Sequence, residues 1–193
     1  MRGLLIAFLL VLVAPANAQF LDIEQLFLDR ADQVAVDEYG RESLVTPGSV
    51  MLSKITLRHG EVKYGGHDSS DDGPLLCRYV ILLDAIENRV NCPDWNPEGL
   101  DKPMMDAVRK IGEFSVANGY PRPDAADVSS RYDEIFQIWA ASVERQRAEN
   151  RDNQCAPFLY LLPIYLSPFY LDIIGHVDTA IMEPSFPVRE PCL

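Results

Sequence analysis

The alternation of apolar and polar residues changes character several times along this chain. An apolar run from Leu4 to Val13 follows Met1-Arg2 and gives way to Pro15 and Ala16-Asn17-Ala18. A basic start, an apolar core and a small-x-small ending predict a secretory signal peptide over 1–18. That core is short of the roughly 20 residues that cross a bilayer, and Gln19 stands where a lipid-modified Cys would be. Leu21, Ile23, Leu26, Phe27, Ala31 and Val34 then keep one side apolar and predict a helix over 21–36, closed off by Gly40. Thr46 to Ser49 is a turn, and Val50 to Leu57 reads as a strand. Tyr79 to Leu83 is a continuous apolar run, which predicts a strand covered on both faces. With Asp84 to Asn88 as a turn and Arg89 to Cys92 as the return, it makes a second hairpin between Cys77 and Cys92. Cys92 to Gly99 is an irregular loop.

The next two helices are better marked. Asp101 caps the first, Pro103 sits in its opening turn, and Ala117-Asn118-Gly119 stops it. Met104, Ala107, Val108, Ile111, and then Phe114 or Ser115, recur at its helical spacing. A second stripe, Tyr132, Ile135, Phe136, Trp139 and Val143, follows a capping box of Ser130 and Asp133. Glu144 to Asn153 is polar all round, the solvated end of that helix. From Cys155 onward the chain is dense in Leu, Tyr, Phe and Pro. Tyr160, Tyr165 and Tyr170 recur every five residues, the period of neither helix nor strand. The segment is expected to cover the core; an exposed aromatic groove for a peptide or envelope partner is the functional alternative.

These elements predict an α+β fold, a small antiparallel sheet of two hairpins packed against about three helices. Residues 19–154 form the domain, and 155–193 are a disulfide-tied segment on the same domain. The 193 residues carry 17 basic and 29 acidic side chains, a net charge of −12. Loss of Arg2 with the leader takes the remainder to −13. Such a surface repels nucleic-acid phosphates and anionic membranes, so no nucleic-acid partner is expected. No membrane span is expected after leader cleavage, because Phe158 to Met182 is broken by Pro163, Pro168, Asp172 and Gly175. Four cysteines, Cys77, Cys92, Cys155 and Cys192, imply two disulfides in an exported chain. Of the three possible pairings, the expected one joins sequence neighbours, Cys77–Cys92 and Cys155–Cys192. No CxxC, Ser-His-Asp elbow, phosphate-cradling Gly loop or His/Cys cluster of metal spacing is found, and no cofactor is predicted.

Two stretches offer candidate chemistry. Asp68, Asp71 and Asp72 lie in Gly65 to Pro74 and are calcium candidates, carboxylates being hard-cation ligands. Their spacing is not that of an EF-hand, and the stretch reads first as a solvated loop, with His67 a loop residue. Arg58-His59-Gly60-Glu61 ends the predicted strand. With a two-residue turn at His59-Gly60, Arg58 faces Glu61, Leu57 faces Val62, Thr56 faces Lys63 and Ile55 faces Tyr64. Every residue then has a place in a hairpin without catalysis.

Arg58-His59-Gly60-Glu61 also resembles the first motif of the histidine phosphatase superfamily, and Gly175 to Ile181 resembles that family's late His motif. The resemblance implies His59 as the phosphoryl-accepting nucleophile, Arg58 as the holder of phosphate oxygens and His176 as the partner. Residues 78–117 resemble the C-terminal domain of TonB-type energy transducers. That likeness implies a strand, a turn, a strand ending near Cys92, a loop, and a helix opened by Leu100-Asp101. Two functions follow as expectations. The preferred one is a non-enzymatic binding or accessory protein, periplasmic or secreted, with a protein or peptide partner in the cell envelope. The other is a small periplasmic phosphatase built on Arg58, His59 and His176. Convergence of both imidazoles and Arg58 would favour the second; a lone His59 at a hairpin tip would favour the first.

Overall fold

A computed structural model of the chain describes residues 20–46, 48–70, 73–91, 101–149, 168–190 and 192. The fold is α+β: a four-stranded antiparallel sheet beside a group of helices. The leader 1–18, Asp71, Asp72, the loop 92–99, Asn150 to Asn153, Cys155, Tyr160 and Tyr165 lie outside the described residues.

Helix α1, Ile23–Asp29, is capped by Asp22, whose Oδ1 accepts the Gln25 N–H at 2.9 Å. It turns Leu26 and Phe27 onto the sheet. The expected helix over 21–36 is therefore too long. After Arg30 the chain takes a single 3-10 turn, Ala31–Gln33, and enters β1, Ala35–Val36. Val34 and Val36 fit a helical stripe on spacing, but β-branched residues just before the Asp37 to Gly40 turn find a strand partner instead. Strands β2 (Glu42–Val45), β3 (Val50–Thr56) and β4 (Val62–Asp68) complete the sheet in sequence order.

The β3–β4 hairpin forms where expected, but its register differs by one residue. Leu57 donates its N–H to the Glu61 carbonyl at 2.8 Å, and Gly60 donates to the Leu57 carbonyl at 2.9 Å. Thr56 thus pairs with Val62, Ile55 with Lys63 and Lys54 with Tyr64. The loop is Arg58-His59-Gly60, with Gly60 at φ +85°. A two-residue turn of the favoured hand needs positive φ at both central residues; a three-residue loop needs it only at the glycine. The slip decides which side chains face inward. Tyr64 reaches the core face and meets Phe27, ring centroids 5.8 Å apart, while Ile55 stays outside at 40% exposure. Glu61 pairs with His59 at 2.7 Å and Lys63 at 3.8 Å rather than with Arg58. β4 also runs on through Gly65-Gly66-His67, where the sequence predicts a loop.

The larger correction concerns residues 75–91. The expected strand, turn and strand are one helix, α2, Leu75–Asn91. Leu75, Leu76, Tyr79, Leu82, Leu83 and Ile86 recur at helical spacing, and the first five are buried. The same helix passes through the first half of the stretch resembling the TonB-type domain, where that likeness implied two strands. Helix α3, Asp101–Ala117, has the expected bounds and buries Met104, Ala107, Val108, Ile111 and Ser115. Helix α4, Val128–Glu149, follows a 3-10 turn, Ala125–Asp127, so Ser130 and Asp133 sit inside it and form no capping box. Asp133 instead accepts from Arg109 Nη2 at 2.7 Å, and Ser129 Oγ donates to Glu113 at 3.0 Å. The predicted stripe holds: Tyr132, Ile135 and Val143 are buried and Phe136 and Trp139 partly so. α3 and α4 meet closely, since a Cβ on Gly112 would lie 2.0 Å from the Tyr132 ring. Helices α5 (Pro168–Gly175) and α6 (Val177–Ala180) add Ile173 and Val177 to this core.

Two hydrophobic clusters result, one among the helices and one under the sheet. Phe20 enters the first, edge-on to Tyr79 at 5.7 Å, and Leu21 enters the second. Tyr120 fixes this seam: its N–H donates to the Phe20 carbonyl at 3.0 Å, and its carbonyl accepts the Asp22 N–H at 2.8 Å. At the other end the tail crosses β4, with Val188 packed over Gly66 and the Asp68 N–H donating to the Glu190 carbonyl at 2.9 Å. The disulfide that secures it joins Cys77 to Cys192, not Cys77 to Cys92 nor Cys155 to Cys192. A helix running from Cys77 to Asn91 separates its ends by about 20 Å. A disulfide requires Cα atoms within about 7 Å, so sequence neighbours on α2 are out of reach. No described helix is long and apolar enough to cross a membrane.

Candidate functional site

The candidate phosphatase residues fall at separate places. His59 stands at the hairpin tip with 67% of its side chain exposed and its Nε2 2.7 Å from Glu61 Oε2. Arg58 beside it is exposed. His176 precedes α6, also exposed, its Nδ1 3.0 Å from both the Asp172 carbonyl and Asp172 Oδ1. α6 meets the opposite end of the hairpin, where Thr179 and Ala180 share a cavity with Ser49 and Asp68. A seven-residue strand at about 3.3 Å per residue puts roughly 20 Å between that end and the tip. The strands hold His59 away from α6 by their whole length.

The cavity at the base of the hairpin, about 370 Å³, is the better-built site. Three segments frame it. The first is the β2–β3 turn, where Thr46 Oγ1 donates to the Val50 carbonyl at 2.8 Å. The second is the end of β4, where Ser69 donates through both N–H and Oγ to the Ser49 carbonyl, each at 3.0 Å. The third is Thr179 to Ser185, which leads from α6 into the tail. Leu75 at the start of α2 gives an apolar wall.

Asp68 is the centre of this arrangement. It is only 7% exposed, yet it lines the cavity. Its Oδ1 accepts the Ser70 N–H at 2.8 Å, and its Oδ2 has no hydrogen-bond partner among the described residues. Oδ2 is not wholly shut off from solvent, so it is an acceptor reachable from the cavity. Glu183 adds a second, exposed carboxylate, and no Lys, Arg or His is among the described residues that line the cavity. Of the calcium candidates only Asp68 is described, and no group of three metal-ligating side chains occurs among the described residues.

A larger groove of about 590 Å³ runs between Asp22 and the start of α4. Its charges are exposed and largely answered within it: Arg131 Nη1 lies 2.9 Å from Glu134 Oε2, and Asp22 caps α1. Among the described residues that line it, every charged side chain is exposed. Tyr79 and Tyr132, both buried, offer no base either. Burial pushes the Tyr132 phenol up to about 12 and that of Tyr79 higher still, so both stay protonated at neutral pH.

Sequence reasoning named Asp68 but placed it in a solvated loop. The available signal was the continuation of β4 alternation, with Tyr64, Gly66 and Asp68 on one face. No family model, curated protein or solved structure matches the chain.

Proposed function

We propose that this protein is a non-enzymatic binding protein of an oxidising, exported compartment, with the cavity at the hairpin base as its ligand site. The observation that carries the reading is Asp68: a largely buried carboxylate that lines the cavity and whose Oδ2 accepts no hydrogen bond from the described residues. Such a carboxylate can hold a hydrogen-bond donor of a ligand. The Cys77–Cys192 bridge supports the compartment, since structural disulfides persist where thiols are not kept reduced. The leader-like first residues point the same way. A protein or peptide of the cell envelope fits as the ligand's carrier, because the cavity opens between loops on the surface.

The experiment is an amide-resolved NMR titration of the chain from Gln19 onward with a small-molecule library. Binding should move the amides of Ser49, Ser70 and Thr179 together. Alongside it, phosphatase activity is measured on the same chain and on His59→Ala, with no difference expected. Turnover that disappears with His59 would overturn the proposal, as would ligands that all map elsewhere.

A further inference from the structure

We infer that the cavity selects a primary alkylammonium group, as carried by a lysine side chain or a free aliphatic diamine. This rests on the cavity being the ligand site. Three observations point to the charge and shape of the ligand. First, the described residues of the lining carry a formal charge of −2, from Asp68 and Glu183, with no basic side chain among them. Asp68 is nine-tenths buried, and its Oδ2 lacks a donor among the described residues. An anion entering here meets repulsion, and a neutral ligand leaves the carboxylate uncompensated.

Second, the groups around the carboxylate suit an ammonium. It has three donors and no acceptor. One donor can reach Asp68 Oδ2. The others have the hydroxyls of Ser49, Ser70, Thr179 and Ser185, none of which makes an intramolecular hydrogen bond among the described residues. A calcium ion asks for six to eight oxygens, more than the two carboxylates among the described lining residues supply. Third, Leu75, Ala180 and Met182 line the same cavity and offer apolar contact to a methylene chain. About 370 Å³ lies at the small end of the range of ligand pockets, enough for a short chain. The net charge of −12 also draws cations toward the molecule.

The test uses the chain from Gln19 onward with its Cys77–Cys192 disulfide intact. The probes are 1,5-diaminopentane, Nα-acetyl-lysine methylamide, 1-pentanol, hexanoate and calcium chloride. Either amine should shift the Ser49, Ser70 and Thr179 amides and raise the melting temperature, and the stronger of the two tells a free diamine from a peptidyl lysine. Asp68→Asn keeps an oxygen for the Ser70 N–H and should weaken amine binding about tenfold or more, as loss of a charge-assisted bond implies. Glu183→Gln, at an exposed position, should weaken it about threefold and carries the test if Asp68→Asn does not fold. Equal affinity in both variants would overturn the inference. So would a response to pentanol, hexanoate or calcium at these amides with none to the amines, which would leave the ligand site standing. Silence of these amides toward every probe would remove both.

Discussion

Replacing Gly112 by Ala tests the packing of the helical core most directly. On intrinsic propensity alone Ala in a helix interior is favoured over Gly by about 1 kcal/mol. The structure reverses that sign. The new methyl would lie 2.0 Å from Cε2 and 2.4 Å from Cδ2 of Tyr132, where ordinary contact begins near 3.4 Å. Tyr132 is 2% exposed, stacked beside Phe136 with centroids 5.9 Å apart and covered by the Arg109 guanidinium at 5.3 Å. The ring has nowhere to swing, so α3 and α4 must separate by more than an ångström. Overpacking a tight core costs about 1–3 kcal/mol, and a displacement of this size belongs at the upper end. The net effect should be a loss of about 2 kcal/mol, or roughly 4–8 °C in melting temperature for a chain of this length. Urea and thermal unfolding should be compared for the parent, Gly112→Ala and Gly175→Ala. The last has nothing within 4 Å of its added carbon and should be neutral or slightly stabilising. In a Tyr132→Ala background the Gly112→Ala penalty should vanish. A stabilised Gly112→Ala, or an undiminished penalty in that background, would refute the packing argument.

The remaining expectations concern other parts of the fold. Peptide mapping without reduction should return a Cys77–Cys192 pair, and Cys192→Ser should cost about 2–5 kcal/mol because the bridge closes a loop of 115 residues. A Cys77–Cys92 peptide would contradict the fold of α2. Glu87 has its carboxyl raised above the ordinary 4.5, by burial first and Asp84 second. The folded state therefore holds that proton more tightly than the unfolded chain, and the cost of ionisation is absent below 4.5 and complete only above the raised value. Glu87→Gln should thus stabilise at pH 7, by under about 1 kcal/mol for a half-exposed group, and do nothing at pH 3.5. A melting-temperature gain of equal size at both pH values would refute the burial argument. His59→Ala should change stability by no more than about 0.5 kcal/mol, as expected of an exposed turn residue with one surface ion pair. A larger loss in urea unfolding would show that the tip carries more than the structure indicates.

Long, strongly periodic segments were legible without coordinates. The stripes of α3 and α4 extend over three or more turns, and only a helix satisfies so many matches at once. The β3–β4 reversal was legible from Gly60. Shorter signals misled. Tyr79 to Leu83 is equally apolar as a strand or as one side of a buried helix, and five residues cannot separate the two periods. The wider spacing of Leu75, Leu76, Tyr79, Leu82, Leu83 and Ile86 contained the answer. The hairpin register turned on whether His59 or only Gly60 carries positive φ, a choice that letters alone leave open.

The sequence by itself determined the acidic surface, the export-like composition, the two long amphipathic helices and the place of one chain reversal. These are local properties, set by side-chain chemistry and by spacing along the chain. Tertiary structure decided the disulfide partner and the candidate site. Cys77 meets Cys192 because the tail returns across β4, and the cavity gathers residues near 49, 68 and 180 that are unremarkable polar or apolar letters where they stand. Asp68 becomes a largely buried carboxylate only when β4, α2 and the tail close around it. Burial is a property of the assembled chain, and it turns an ordinary aspartate into a candidate ligand-binding group.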